Sequence, residues 1–399
     1  MFNKIEDAIE DLKNGKLIVV VDNENRENEG DLVGIGENIT KENINFMIKY
    51  GRGLVCVPVE ETRATELGLL PMTFNNNDQH QTAFTVSVDS FIGTTTGISV
   101  EDRFNTIKDL AFRATQSKDF RRPGHIFPLI AKNGGVIERP GHTEASVDLA
   151  KLAGFKGCGV ICEIINENGT MARVPDLLLF CKEHDLKIIT IEALIDYKKT
   201  NEFQTELVCD APLPTKHGTF KMIGFSNTLD FKEHVALVFG DIKNKENVLV
   251  RVHSECLTGD AFGSLKCDCG SQLDKALENI ATNGSGVLLY MRQEGRGIGL
   301  LNKIKAYNLQ SQGKDTVEAN TLLGFEPDLR DFAVAAQMIK LLDIKSINLM
   351  TNNPKKINDL EKYGINITNR THIEFPPNPC NSYYLKTKKE KMNHFLKID

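Results

Sequence analysis

The run Leu17-Ile18-Val19-Val20-Val21 passes without a break into Asp22-Asn23-Glu24-Asn25-Arg26-Glu27-Asn28-Glu29-Gly30-Asp31, and this junction decides the fold. A short apolar, β-branched run reads as a buried strand, and the charged turn starts where it stops. Ahead of it, Ile5, Ala8, Ile9 and Leu12 fall at helical spacing, with Gly15 as a stop. A helix, a strand and then a polar loop at the strand's carboxyl end is the pattern of α/β folds, which place ligands there. The pattern recurs. Residues 287–291 enter Gln293-Glu294-Gly295-Arg296-Gly297-Ile298-Gly299, and residues 347–350 enter Thr351-Asn352-Asn353-Pro354-Lys355-Lys356.

Other elements follow from the same reading. Phe84, Val86 and Val88 alternate with Thr85, Ser87 and Asp89, which predicts a half-buried strand. Ser99 with Asp102 reads as a helix cap. His142-Thr143-Glu144 opens a helix over residues 145–153 that ends at Gly154, and residues 159–165 form a strand carrying Glu163. Further strands are expected at 220–225, 235–239 and 248–252. Residues 200–215, with Pro212 and Pro214 and weak periodicity, are expected to be a linker. Domains are therefore placed at 1–200 and 201–399, each α/β with a mixed sheet and packed helices. The basic tail at 386–391 is expected to be solvated.

A chain of 399 residues is long for one core and comfortable for two. Its opening residues are acidic with no long apolar stretch, so no signal peptide is expected. No run approaches the ~20 apolar residues that span a bilayer, which predicts a soluble, cytoplasmic protein without membrane partners. Nine cysteines in such a chain are expected to be thiols or metal ligands rather than disulfides. Residues 1–200 carry 23 basic and 30 acidic side chains, and residues 201–399 carry 25 and 24. Neither half has the basic excess of a nucleic-acid binder.

The acidic turn finds a counterpart in Arg139-Pro140-Gly141-His142-Thr143-Glu144, which sets a guanidinium and an imidazole at a helix start, where anions are favoured. A second Pro-Gly-His turn, Arg122-Pro123-Gly124-His125, lies upstream. Carboxylates and imidazoles together suit a hard divalent metal. Glu163, inside an apolar strand, is costly to bury unless it meets a cation, metal or substrate.

These residues carry a resemblance. Arg26 to Asp31, Thr82 to Val88, Thr95 to Ser99, Arg122 to Pro128, Arg139 to Ala145 and Val160 to Glu163 make the first half similar to 3,4-dihydroxy-2-butanone 4-phosphate synthase. That family converts ribulose 5-phosphate to the named product and formate. The resemblance implies magnesium or manganese on Glu27 and His142. It implies the sugar phosphate on Arg26, Glu27, Asp31, Arg139, Pro140, Gly141, His142, Thr143 and Glu163, and proton transfers by His125 and Glu163. The sequence departs at Asn23, where the family more often has aspartate, and at Gly157-Cys158.

In the second half, Arg251-Val252-His253-Ser254-Glu255-Cys256 precedes Cys267-Asp268-Cys269-Gly270. Three close thiols suit zinc, and a three-thiolate site leaves a fourth position for water, as catalytic sites do. His253 or Cys380 could instead close a structural site. Arg251, Arg296 and Lys356 stand near strand ends, with the glycine turn 293–299 ahead of a helix.

With Gly259-Asp260, Arg292 to Leu300, Asp315 to Asn320 and Thr351 to Lys356, this half resembles GTP cyclohydrolase II. The resemblance implies zinc on Cys256, Cys267 and Cys269. It implies GTP on Arg251, Val252, His253, Ser254, Glu255, Gln272, Glu294, Gly295, Arg296, Thr316, Thr351 and Lys356. Asp328 would be the proton acceptor, Tyr307 a catalytic hydroxyl and Arg330 a nucleophile, although a guanidinium that stays protonated is more easily a phosphate clamp. Lys266 stands where the family usually has arginine. The two halves together imply a bifunctional riboflavin-biosynthesis enzyme working as a homodimer. The competing expectations are an inactive N-terminal scaffold beside a working cyclohydrolase, and a non-enzymatic zinc module.

Overall fold

The computed structural model describes residues 1–397 and divides into two compact units, Met1–Lys198 and Lys199–Asp399. The first holds strands β1 (Ile18–Val21), β2 (Gly30–Ile35), β3 (Cys56–Glu60), β4 (Val88–Ser90), β5 (Phe120–Ala131), β6 (Gly159–Glu163) and β7 (Lys187–Thr190). They form one mixed sheet in the order β4-β5-β3-β6-β2-β1-β7, with β1–β7 and β3–β5 parallel and the other pairs antiparallel.

Because side chains alternate across a strand, Val19, Val21, Leu32, Val57 and Val160 pack on one face. Ile18, Val20, Val33, Cys56 and Ile161 pack on the other. Helix Val100–Ala111 covers the first face through Ile107 and Leu110. Helices Ile5–Lys13 and His142–Leu152 cover the second. Burial on both faces explains why β1 reads as a continuous apolar run.

The second unit holds β8 (Thr205–Thr215), β9 (Gly218–Asn227), β10 (His234–Phe239), β11 (Val248–Ser254), β12 (Gly286–Met291), β13 (Ile347–Met350) and β14 (Ile367–Thr371). Their order is β14-β13-β11-β12-β10-β9-β8, again a mixed sheet. β12, β11 and β13 run parallel, with Ser254 opposite Met291 and Val250 opposite Leu349. The loops that follow these three strands therefore leave the sheet at one end. Helix Ala333–Leu341 packs on one face and helix Cys269–Asn283 on the other. Among the described residues no helix is long and apolar enough to cross a membrane.

Several expectations are corrected. Residues 200–215 are not a linker: a helix runs to Asn201, and Thr205–Thr215 is the edge strand β8, paired along its length with β9. Most of its residues are exposed on both faces, which erases the alternation that marks a strand, and Pro212 and Pro214 are tolerated at an edge. The expected strand around Phe84 is shorter and buries its polar side, because Thr85 Oγ1 donates to the Pro128 carbonyl at 3.0 Å.

Arg122-Pro123-Gly124-His125 is not a turn but part of β5. Ser87 Oγ accepts from Gly124 N at 3.2 Å and Asp89 Oδ1 accepts from His125 N at 2.9 Å, which holds the chain extended. Nor is the basic tail solvated throughout. It forms helix Ser382–Met392, in which the Lys388 side chain is only 12% exposed.

Candidate active sites

In the first unit β1 delivers Asp22 at its carboxyl end. The Asp22 carboxylate accepts from Glu27 N at 3.0 Å, Glu29 N at 2.9 Å and Arg26 Nη1 at 2.9 Å, which curls the acidic turn back on itself. Arg26 Nη1 also reaches Glu27 Oε2 at 2.6 Å. From the other side, helix His142–Leu152 starts at Gly141 and brings His142 in, 6% exposed. One ligand atom each from Asp22, Glu27 and His142 lies within 4.8 Å of the others, a grouping able to hold a metal ion.

The imidazole is oriented by its far nitrogen. Nε2 meets the Val20 carbonyl at 3.2 Å, so Nδ1 is turned to Glu27 Oε2 at 3.6 Å and Asp31 Oδ1 at 3.9 Å. Burial disfavours a charged His142, but Asp31 and Glu27 outweigh it and raise the group to about 9. Burial likewise opposes ionised Glu27, yet the His142 hydrogen bond and Arg26 pull it down to about 2. Burial pushes Asp31 up to about 7, with His142 opposing and Glu163 adding to the rise.

Glu163 stands opposite Asp31 in the β2–β6 register, and its Oε2 accepts from Leu54 N at 2.8 Å. That backbone N–H holds the carboxylate beside Asp31. Arg139 pairs with Glu144 at 2.6 Å, and a Cβ on Gly141 would fall 2.5 Å from Arg139 Nη1 and 2.9 Å from Arg26 Nη2. The helix start from Pro140 to Thr143 thus sits where the two guanidinium groups converge.

Asp22 was not among the residues assigned to the metal, although its place at the end of an apolar strand was the available signal. His125 is not in this group. It pairs with Asp89 through Nδ1 at 2.7 Å on β5, three strands and so a lateral spacing of about 14 Å from β2.

In the second unit the loops after β11, β12 and β13 meet over one pocket. Arg251, His253, Ser254 and Glu255 line it from the first; Glu294, Gly295 and Arg296 from the second; Thr351 and Lys356 from the third. Gln272 and Thr316 close its sides. Val252 points into the core instead and offers its carbonyl, which accepts from Lys356 Nζ at 2.6 Å.

Cys256, Cys267 and Cys269 sit at the pocket floor with their sulfurs within 4.8 Å of one another. A Cβ on Gly259 would lie 2.9 Å from Cys267 Sγ and 3.1 Å from Cys256 Sγ, so only glycine leaves this cradle open. The donor set fits zinc. The closed-site alternatives are not built: His253 Nε2 is taken by Asp260 at 3.1 Å, and Cys380 is exposed outside the cluster.

Lys303 was missed by the sequence reading. Its Nζ lies 3.2 Å from Cys256 Sγ, 2.8 Å from Glu294 Oε1 and 3.0 Å from Thr258 Oγ1. Hydrogen bonds from the neighbouring thiols, with this ammonium, hold Cys256 well below the usual thiol range. Helical spacing was the signal, since Lys303 precedes Tyr307 by one turn on the same face. The Tyr307 hydroxyl lies 3.2 Å from Thr258 Oγ1, and burial raises it, so it is neutral. Lys266 Nζ stands 4.8 Å from the centre of the Tyr307 ring.

Arg330 grips Asp328 through Nε at 2.8 Å and Nη2 at 2.5 Å. Burial opposes the charge on each, but the pair outweighs it, raising Arg330 and lowering Asp328. For Lys356 the relief that Asp328 gives is outweighed. Burial, then Arg251 and Arg330, force it well below the usual lysine range. Cations crowded until they repel one another mark a site shaped for a polyanion.

Comparison with known proteins agrees with this geometry. The family model described as 3,4-dihydroxy-2-butanone 4-phosphate synthase matches residues 6–197, and that described as GTP cyclohydrolase II matches residues 205–372. The riboflavin biosynthesis protein RibBA of Bacillus mycoides (strain KBAB4) is 58% identical over 398 residues, covering 100% of both chains. RibBA of Bacillus cytotoxicus is 57% identical over the same length. A crystal structure of RibBX from A. baumannii, described as a two-domain 3,4-dihydroxy-2-butanone 4-phosphate synthase, has a TM-score of 0.68 at 32% identity. It covers 92% of this chain and 99% of that one.

Proposed function

Because the chain belongs to the RibBA family of bifunctional riboflavin biosynthesis proteins, we propose that its first unit is the synthase and its second the cyclohydrolase. The first converts ribulose 5-phosphate to 3,4-dihydroxy-2-butanone 4-phosphate and formate. The second opens the guanine imidazole ring of GTP, releasing formate and pyrophosphate. The observation that carries this reading is that each unit has its own ligand cluster, and the two differ in chemistry: carboxylates with imidazole in one, three thiols in the other.

In the synthase unit Glu27 and His142, with Asp22 beside them, would hold magnesium or manganese. Such an ion supplies positive charge that stabilises developing oxyanions on the sugar. Arg26 and Arg139 converge at the helix start and bind the phosphate, with Thr143 at the same N-terminus. Asp31 and Glu163, side by side across the β2–β6 register, are placed to move protons.

His125 stands on β5, two strands from Glu163 and three from Asp31, and pairs with Asp89 instead. A homodimer accommodates it, since the loops flanking β4 expose Leu70, Met72, Phe74, Phe91 and Ile92, and the His125 side chain is 46% exposed beside them. Free thiols throughout the described residues fit a reducing, cytoplasmic compartment.

In the cyclohydrolase unit Cys256, Cys267 and Cys269 would hold zinc, which supplies Lewis acidity and an activated water when bound. Arg251, Arg296 and Lys356 hold phosphates. We assign Arg330 to the same work rather than to nucleophilic attack, because its two-point pairing with Asp328 keeps the guanidinium protonated. We assign proton transfer to Asp328, as the family resemblance implies, and neutral Tyr307 donates a hydrogen bond near the thiols.

Formate release measured separately from the two substrates tests the assignment. Glu27→Gln should lower sugar-phosphate turnover by orders of magnitude and leave GTP turnover near normal, and Cys267→Ser should do the reverse with loss of about one zinc per chain. Sugar-phosphate activity unchanged by Glu27→Gln would remove Glu27 from the metal site. Normal zinc content and GTP turnover in Cys267→Ser would make the thiols inert.

A further inference from the structure

The cyclohydrolase match ends at residue 372, yet the pocket continues beyond it. Tyr384, Lys388, His394 and Leu396 line it, carried by helix Ser382–Met392 and the residues that follow.

The segment is docked at several separate points. Lys388 Nζ reaches Asp268 Oδ1 at 2.9 Å, and Asp268 stands between Cys267 and Cys269. Phe395 N donates to the Asn352 carbonyl at 2.9 Å, beside Thr351. Lys397 N donates to Glu374 Oε2 at 3.0 Å. Lys391 Nζ bonds Asp315 and reaches Glu318 Oε1 at 3.2 Å, at the start of the helix that carries Thr316. Leu385 is 1% exposed. A helix held this way is part of the pocket wall.

What it presents to the pocket is specific. The Tyr384 ring centre lies 5.8 Å from the Arg296 guanidinium carbon and 4.5 Å from Lys388 Nζ, cation–π range for both. Both Nη atoms of Arg296 are shielded from water and have no acceptor. The residue holds φ +61° in a turn of three left-handed glycines, a strained arrangement that fixes its direction. A guanidinium so desolvated is costly unless an anion takes up its donors. His394 is set among Lys388, Arg330, Arg296 and Lys356, and burial together with these four cations drives the imidazole down to about 3. An entering polyphosphate would relieve every one of these repulsions.

We propose that residues 382–397 are the closing wall of the GTP pocket, in which Tyr384 positions Arg296 and Lys388 and His394 face the phosphates. This rests on the cyclohydrolase reading of the second unit. Tyr384 acts through the Arg296 guanidinium, so it is a positioning residue. Its loss weakens phosphate capture and leaves the chemistry at the thiols intact.

The test uses the full chain loaded with zinc. Tyr384→Leu should raise the KM for GTP roughly tenfold, the range of a partly buried cation–π contact, with kcat within about twofold. Tyr384→Phe should restore the wild-type KM, because the ring face is kept. His394→Ala should raise KM severalfold, and in all three variants zinc content and ribulose 5-phosphate turnover should match the parent. A KM within twofold of the parent in both Tyr384→Leu and His394→Ala overturns the proposal, as does a Tyr384→Phe variant no better than Tyr384→Leu. An unsubstituted, zinc-loaded chain that releases no formate from GTP overturns the cyclohydrolase reading, and the wall with it.

Discussion

The turn after β1 and the pocket at the ends of β11, β12 and β13 lie on opposite sides of electrical neutrality. Around the first, Asp22, Glu27, Asp31 and Glu163 outnumber Arg26, Arg139 and His142, and burial, with Glu163 and Glu27 adding to it, pushes Asp31 up to about 7. Around the second, Arg251, Arg296, Lys356 and Lys388 outnumber their carboxylates; burial, then Arg251 and Arg330, force Lys356 down, and Arg296 is left without an acceptor. Each imbalance is costly in the isolated chain and is relieved by a ligand of opposite sign. One site is shaped for a small cation, its ligand atoms within 4.8 Å of one another. The other spreads its cations over three strand ends, as an extended polyanion requires.

Lys356→Met is the strongest way to break that contrast. If Lys356 is held in the ligand-free chain against burial and two arginines, its removal should weaken GTP binding by roughly 10- to 100-fold, the loss of one charge-assisted contact. The same change should raise the melting temperature of the ligand-free second unit, since a repelled buried cation is gone. Equilibrium GTP binding and thermal melts without nucleotide read the two effects. A fall in both affinity and melting temperature would mean that the ammonium stabilises the fold through the Val252 carbonyl, and that the pocket is not under cationic strain.

Asp328→Asn probes the opposite sign in the same pocket and should cost about 2 kcal/mol of stability at neutral pH, because Arg330 is left buried with a weaker partner. The pH dependence carries a sign. Asp328 is lowered in the folded chain, so its contribution is present above the ordinary carboxylate range and is lost as pH falls through the lowered folded value. The gap between parent and variant should therefore be widest near pH 7 and narrow in acid. Denaturant unfolding at a series of pH values measures it, and a gap independent of pH would remove the carboxylate's charge from the explanation.

The contrast also decides what could be read from sequence. The first site is local: a strand, its turn and one helix start contain nearly all of it, so Glu27, Asp31, His142 and Thr143 were legible from two short stretches. The second depends on three parallel strands ending together, which no single stretch reveals. The glycine turn and the thiols were legible only as motifs. Lys303 was hidden because an amphipathic helix with Lys303 and Lys305 reads as a solvated face, whereas only Lys303 turns inward. Lys388 was hidden in the same way, among Lys386, Lys389 and Glu390, all exposed. The edge strand β8 was hidden for a different reason, since a strand exposed on both faces has no alternation to detect.

That edge strand sets the smallest and most local test. The units are expected to be separable, each fragment keeping its own reaction, but where the second begins matters. A fragment starting at 208 discards the pairs Thr205 with Asn227, Glu206 with Ser226 and Leu207 with Phe225, and also the bond from Gln204 N to Gln337 Oε1 at 3.0 Å. A fragment starting at 202 keeps them. Cross-strand pairs contribute a few tenths to about 1 kcal/mol each, and edge pairs open to water fall at the low end, so the longer fragment should be more stable by about 1 kcal/mol. Denaturant midpoints of the two fragments measure the difference, and GTP turnover should be the same in both, because the pocket lies at the ends of β11, β12 and β13. Equal midpoints would show that the first three residues of β8 are frayed and that the boundary lies further along the chain. A longer fragment that folds but loses GTP turnover would show that the cationic pocket depends on the first unit, and the two sites would no longer be independent.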